Sequence, residues 1–176
     1  MKNDGVKRLS TLAMFLALAT LLNYVENLLP VLIPLPGIKL GLANTMNIIV
    51  LYFFGKKEYF SIGFLRVLLI SVMFNGLFTN GFWLSFSGFL LSAIVVMFLS
   101  NIKNLSVYSL SISSAVFHSI GQILCAIVLY TTPTEIPFNL ILYLPILVLC
   151  SVITGFVISC IASLSIKRLE KISLFR

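Results

Sequence analysis

Glu26, Lys39, Asn44, His118 and Gln122 are the residues whose types and spacing could do chemistry in this chain, and all lie in or beside strongly apolar stretches. The chemistry they suggest is hydrogen-bonded and ionic ligand binding. Glu26 ends an apolar run with Asn23 and Asn27 at neighbouring helical spacings. A carboxylate so placed is costly unless hydrated or paired. Lys39, across the next loop, is a candidate partner; the bland alternative is exposure of Glu26 at headgroup level.

The stretch from Pro36 to Asn47 mixes a lysine, two glycines and two asparagines between apolar segments. Gly37, Gly41, Asn44 and Ile48 share one helical face, with Asn47 beside it. Glycines admit a close helix or a ligand, and asparagines donate and accept hydrogen bonds. Packing and binding both fit that spacing.

Ser111, Ser114, His118, Gln122 and Cys125 form a polar stripe at three- and four-residue steps. His118 is the single histidine, and Gln122 follows one turn on, so a ligand or a neighbouring helix must satisfy both. No second histidine or carboxylate has metal-ligand spacing, so no metal is expected. Arg66 stands alone in an apolar run. Counted from a helix starting at residue 59, it lies about 10 Å from the inner boundary and Glu26 about 25 Å, so Arg66 is expected to snorkel inward, bind helix-end carbonyls or respond to a cytoplasmic partner, and to stay out of the outer site.

Smaller residues suggest packing. Ser85, Gly88 and Ser92 form one small face, and Ser151, Gly155 and Ser159 another. Ala13 and Ala17 are four apart near the start of the first apolar run, alone a weak sign of a partner helix. Trp83 fits an interfacial aromatic belt better than a pocket wall.

The elements that must position these groups are membrane helices. The chain is 60% hydrophobic and 10% charged, with a mean hydropathy of +1.12. Apolar runs approach or exceed the roughly 18 residues that mark a transmembrane helix. Six helices are expected, over 9–29, 40–54, 59–78, 84–99, 107–130 and 139–166, the second too short to span unless its preceding loop dips into the membrane. They form a single membrane domain over 1–176, with tails at 1–8 and 167–176. The first run is longer than the roughly 7–15 residues of a signal-peptide core and reads as a retained helix.

Charge sets the orientation. With the N-terminus inside, ten of the twelve lysines and arginines are cytoplasmic, all but Lys39 and Arg66. Both termini are then inside, and the net charge of +7 is a topology signal, not a nucleic-acid one. Pro30, Pro34, Pro36, Pro133, Pro137 and Pro145 gather towards the outer face, where a cavity could satisfy irregular backbone. Cys125, Cys150 and Cys160 lie in apolar segments without Cys-x-x-Cys spacing and read as small packing residues.

Tyr-Val-Glu-x-x-x-Pro (24–30), Pro-Gly-Ile-Lys-Leu-Gly-Leu-Ala-Asn (36–44), Ser-x-Ser-Gly-x-x-x-Ser (85–92), Phe-His-Ser-Ile-Gly-Gln (117–122) and Tyr-Leu-Pro (143–145) resemble the Gx transporter family, often labelled heptaprenyl diphosphate synthase component I. The resemblance covers about residues 10–160, with Ser119 standing where asparagine is usual. That family is similar to the substrate-binding S-components of energy-coupling factor transporters. The resemblance implies six helices with both termini inside a bacterial cytoplasmic membrane. It also implies an outward pocket closed by the loop after helix one, and a coupling membrane subunit, with its ATPases, docking at Ala13 and Ala17. The expected ligand-binding residues are Glu26, Lys39, Asn44, His118 and Gln122. The ligand stays open, with flavin-, quinone- and isoprenoid-related compounds as guesses; no cofactor is expected.

Enzyme readings meet chemical limits. Prenyl elongation needs clustered aspartates for magnesium and diphosphate, and this chain has one aspartate, Asp4. A complete synthase is excluded; a membrane accessory subunit of one is the alternative. A membrane electron-transfer subunit could use non-covalent flavin or quinone, but one histidine and unclustered cysteines exclude the usual haem and iron–sulfur ligation. The chain has no Gly-x-x-x-x-Gly-Lys phosphate loop, so ATP use falls to partners.

Overall fold

The computed structural model describes residues 2–28, 41–131 and 138–172. Among them are six α-helices and no strand: α1 Lys2–Leu28, α2 Leu42–Phe54, α3 Lys56–Ile70, α4 Asn80–Leu99, α5 Val107–Tyr130 and α6 Phe138–Leu169. A π-helical segment, Ser71–Asn75, continues α3. Segments within α1, α4, α5 and α6 are long and apolar enough to cross a membrane, which marks a multi-pass membrane protein. Lys39 and five of the six prolines lie outside the described residues; Pro145 lies inside α6.

Several helix boundaries differ from expectation for local reasons. α1 begins at Lys2 instead of residue 9, because lysine and arginine are good helix formers and nothing breaks the run after Gly5. α3 begins at Lys56 instead of 59. Gly55, at φ 101°, ends α2 and starts α3 without a linker, and the Tyr59 N–H donates to its carbonyl at 3.1 Å. α3 gives way to its π-helical turn after Ile70, and Gly76 at φ 78° follows. α4 starts at Asn80, earlier than 84, since Thr79 caps it by accepting the Phe82 N–H at 3.4 Å.

One end of the bundle is tied by polar side chains. Arg8 donates to Glu58, linking α1 to the first turn of α3. Lys56 donates to Asn101 beyond α4, and the Tyr52 hydroxyl donates to Glu170 beyond α6 at 2.8 Å. The α2–α3 turn therefore meets both the start of α1 and the end of α6.

Apolar packing fixes the helices above that end. Tyr59, Val67, Phe82, Phe89, Ala93 and Val96 join α3 to α4. Phe15, Ile49, Val50, Ile62 and Ile166 join α1, α2, α3 and α6. α4, α5 and α6 approach through small residues. A Cβ on Gly121 would stand 2.7 Å from the Ser87 carbonyl, and one on Gly155 2.8 Å from the Ile112 Cα. Ser87 Oγ donates to the Gly121 carbonyl at 3.1 Å, and Ser111 Oγ to the Gly155 carbonyl at 3.0 Å. Of the expected small-residue faces, Gly88 and Gly155 make such close helix contacts, whereas Ser85 and Ser151 line a cavity.

Candidate functional site

All six α-helices line one cavity of about 110 Å³. α1 brings Asn23 and Glu26, and the start of α2 brings Gly41, Ala43 and Asn44. α3 brings Arg66, Val67 and Ile70; α4 brings Ser85; α5 brings His118, Ser119 and Gln122; α6 brings Ser151 and Thr154. Four of the five expected ligand-binding residues, Glu26, Asn44, His118 and Gln122, thus share one cavity. The fifth, Lys39, lies outside the described residues.

The α1–α2 wall is set by a hydrogen bond. Glu26 Oε1 accepts the backbone N–H of Gly41, whose carbonyl accepts the Asn44 N–H at 2.8 Å. The first N–H groups of a helix lack partners within it and carry partial positive charge, so a carboxylate there is stabilised. Gly41 was expected inside a helix over 40–54. It instead opens α2 in the left-handed conformation, φ 76°, and a Cβ there would come 2.8 Å from Ile158 Cδ1. Both the backbone angle and the contact with α6 require glycine.

From Asn44 a polar chain runs between helices. Its Nδ2 donates to Ser114 Oγ at 2.8 Å, and Ser114 Oγ lies 3.2 Å from Ser92 Oγ. Ser92 and Ser114 are buried, so the chain ties α2, α5 and α4 together below the cavity. Ser151 donates to the Leu147 carbonyl at 2.7 Å, so Ser119, 2.6 Å away, donates to Ser151 and joins α5 to α6.

His118 and Gln122 line the cavity from one face of α5, one turn apart. Gly88 sits against both: a Cβ there would be 2.9 Å from Gln122 Cγ and 3.0 Å from His118 Cε1. Gln122 Oε1 is buried without a hydrogen-bond partner among the described residues. Asn47, beside this face of α2, is buried and does not line the cavity.

Arg66 corrects the sequence reading. It is 7% exposed and lines the same cavity as Glu26. Counting from residue 59 placed Arg66 too shallow, since α3 starts at Lys56, and ignored the length of the arginine side chain, and so kept the two apart. A charged residue alone in an apolar run was itself the signal for a functional position. Ser85 and Ser151, read as packing residues, and Ser119 and Thr154 were missed as lining residues because nothing in their type separates lining from packing.

Ala13 and Ala17 lie on the exposed face of α1, away from the cavity. Trp83 also stays off the lining and packs with Phe78, Phe82 and Phe86. Among the described residues no group of three histidine, cysteine, aspartate or glutamate side chains could hold a metal ion.

The family model for heptaprenyl diphosphate synthase component I matches residues 15–165. The chain belongs to that family. No curated protein and no solved structure matches it. The component I match takes in every residue lining the cavity, from Asn23 to Ile158. Asp4, the single aspartate of this component I chain, precedes the match, which therefore contains no aspartate for diphosphate-bound magnesium.

Proposed function

We propose that this chain is the substrate-binding membrane subunit of a small-molecule transporter of the energy-coupling factor type, with a vitamin- or cofactor-like ligand held in the six-helix cavity. The observation that carries this reading is the convergence of Glu26, Asn44, Arg66, His118 and Gln122 on one cavity within an otherwise apolar bundle. Polar groups at membrane depth are costly unless satisfied internally or by a ligand. In this reading the chain is one membrane domain in a bacterial cytoplasmic membrane. Its six helices span the membrane and both termini are cytoplasmic. The tied end with Arg8, Lys56, Lys57, Lys167 and Arg168 faces the cytosol.

Lys39, outside the described residues, is assigned to the same site in this reading. Ala13 and Ala17 give a smooth strip on α1 for a coupling membrane subunit, and its ATPases supply the energy. Native mass spectrometry of the purified protein tests the reading: a co-purifying small molecule is expected, and a clean apo mass after gentle extraction from its own membrane would contradict it.

A second reading is favoured by the family's name. As component I, the chain would be a non-catalytic membrane subunit working with another component of polyprenyl diphosphate synthesis. Affinity capture from native membranes separates the two: ATPase subunits support transport, and a prenyl synthase subunit supports the accessory role.

A further inference from the structure

We propose that the cavity takes a small carboxylate, with the anionic group against Arg66; this rests on the reading of the cavity as a binding site. The Arg66 side chain is more than nine-tenths buried and lines the cavity, and its Nε–H has no hydrogen-bond partner among the described residues. A guanidinium stays charged at any ordinary pH and presents a planar fork of donors matched to carboxylate geometry. A buried charge without hydrogen-bonded compensation is expensive, so an acceptor has a large gain to make there.

Glu26 is the one carboxylate of the lining among the described residues, and it is already engaged. Its Oε1 accepts the Gly41 N–H at the positive end of α2, and it makes no hydrogen bond to Arg66 Nε. On the neighbouring wall, Gln122 Oε1 is a buried acceptor with no donor among the described residues. A ligand carrying an N–H or O–H besides its carboxylate supplies the donor that Gln122 lacks among the described residues. A neutral amide satisfies the hydrogen bonds but leaves the arginine charge, and a cation repels it.

The experiment uses the full chain in lipid nanodiscs with benzoate and benzamide as a matched anionic and neutral pair. Benzoate is expected to raise the melting temperature of the wild type while benzamide does not. Arg66→Gln should abolish the benzoate response, and Arg66→Lys, which keeps the charge, should retain part of it. Equal responses to the two probes, or a benzoate response unchanged in Arg66→Gln, would overturn the proposal. Native mass spectrometry with anion-exchange analysis of the released compound completes the test. A retained carboxylate, reduced about tenfold or more in Arg66→Gln, supports the proposal. A retained neutral compound, or the mass of a phospholipid, sinks the carboxylate assignment while leaving a binding cavity. No retained compound and no probe response sinks both.

Discussion

Glu26, in the last turn of α1, accepts a hydrogen bond from the backbone N–H of Gly41, which opens α2. This contact fixes where the second helix begins and so sets one wall of the cavity. A hydrogen bond to a charged group contributes roughly 1.5–3 kcal/mol. Glu26→Ala should lose about that much stability, and Glu26→Gln, which keeps an acceptor, clearly less. Unfolding of the three proteins in one detergent checks this; equal stabilities of wild type and Glu26→Ala would show that the contact does not anchor α2.

Gly41→Ala meets two obstacles, a left-handed backbone and a Cβ 2.8 Å from Ile158. The backbone alone costs about 1–2 kcal/mol. Trimming the neighbour with Ile158→Val should recover only the contact part. Full recovery in the double variant would mean that the backbone angle carries no cost.

Gly88→Ala should disturb stability and binding together, because its Cβ would press on His118 and Gln122. Overpacking of this kind costs roughly 1–3 kcal/mol. Gly5→Ala is the control. Nothing lies within 4 Å of a Cβ there, and alanine favours a helix over glycine by about 1 kcal/mol, so Gly5→Ala should be neutral or stabilising. Thermal melts of the pair decide it; equal losses would deny the close α4–α5 contact.

The six helices and the small-residue contacts were legible because apolar run length and the spacing of small residues are local properties. His118 and Gln122 were legible as a pair because a helix turn puts them on one face. Arg66 was not, since its depth was counted from a helix starting at residue 59 whereas α3 starts at Lys56, and which neighbours its long side chain meets is a property of helix packing, not of local sequence. The Ser119–Ser151 and Asn44–Ser114 bonds were equally out of reach. Each joins residues from different helices, and many serines on those helices could have made them. Gly41 was misread for another reason: glycine after a polar loop can sit inside a short helix or open it, and the contact with Ile158 decides which.

Ala13→Trp should leave folding and ligand retention unchanged, because Ala13 lies on the exposed face of α1 and not on the cavity. Under the transporter reading it should break capture of the coupling membrane subunit. Capture of that subunit at the wild-type level would remove Ala13 and Ala17 from the docking surface.

Parallel measurement of ligand retention and thermal stability for wild type, His118→Ala and Gln122→Ala tests the binding cavity most directly. Losing one hydrogen bond of about 1.4 kcal/mol weakens binding roughly tenfold. The expected result is a fall of that order in the co-purified small molecule for each variant, with melting temperatures of the ligand-free proteins close to wild type. Unchanged retention alongside a large fall in stability would return both residues to helix packing and contradict the account.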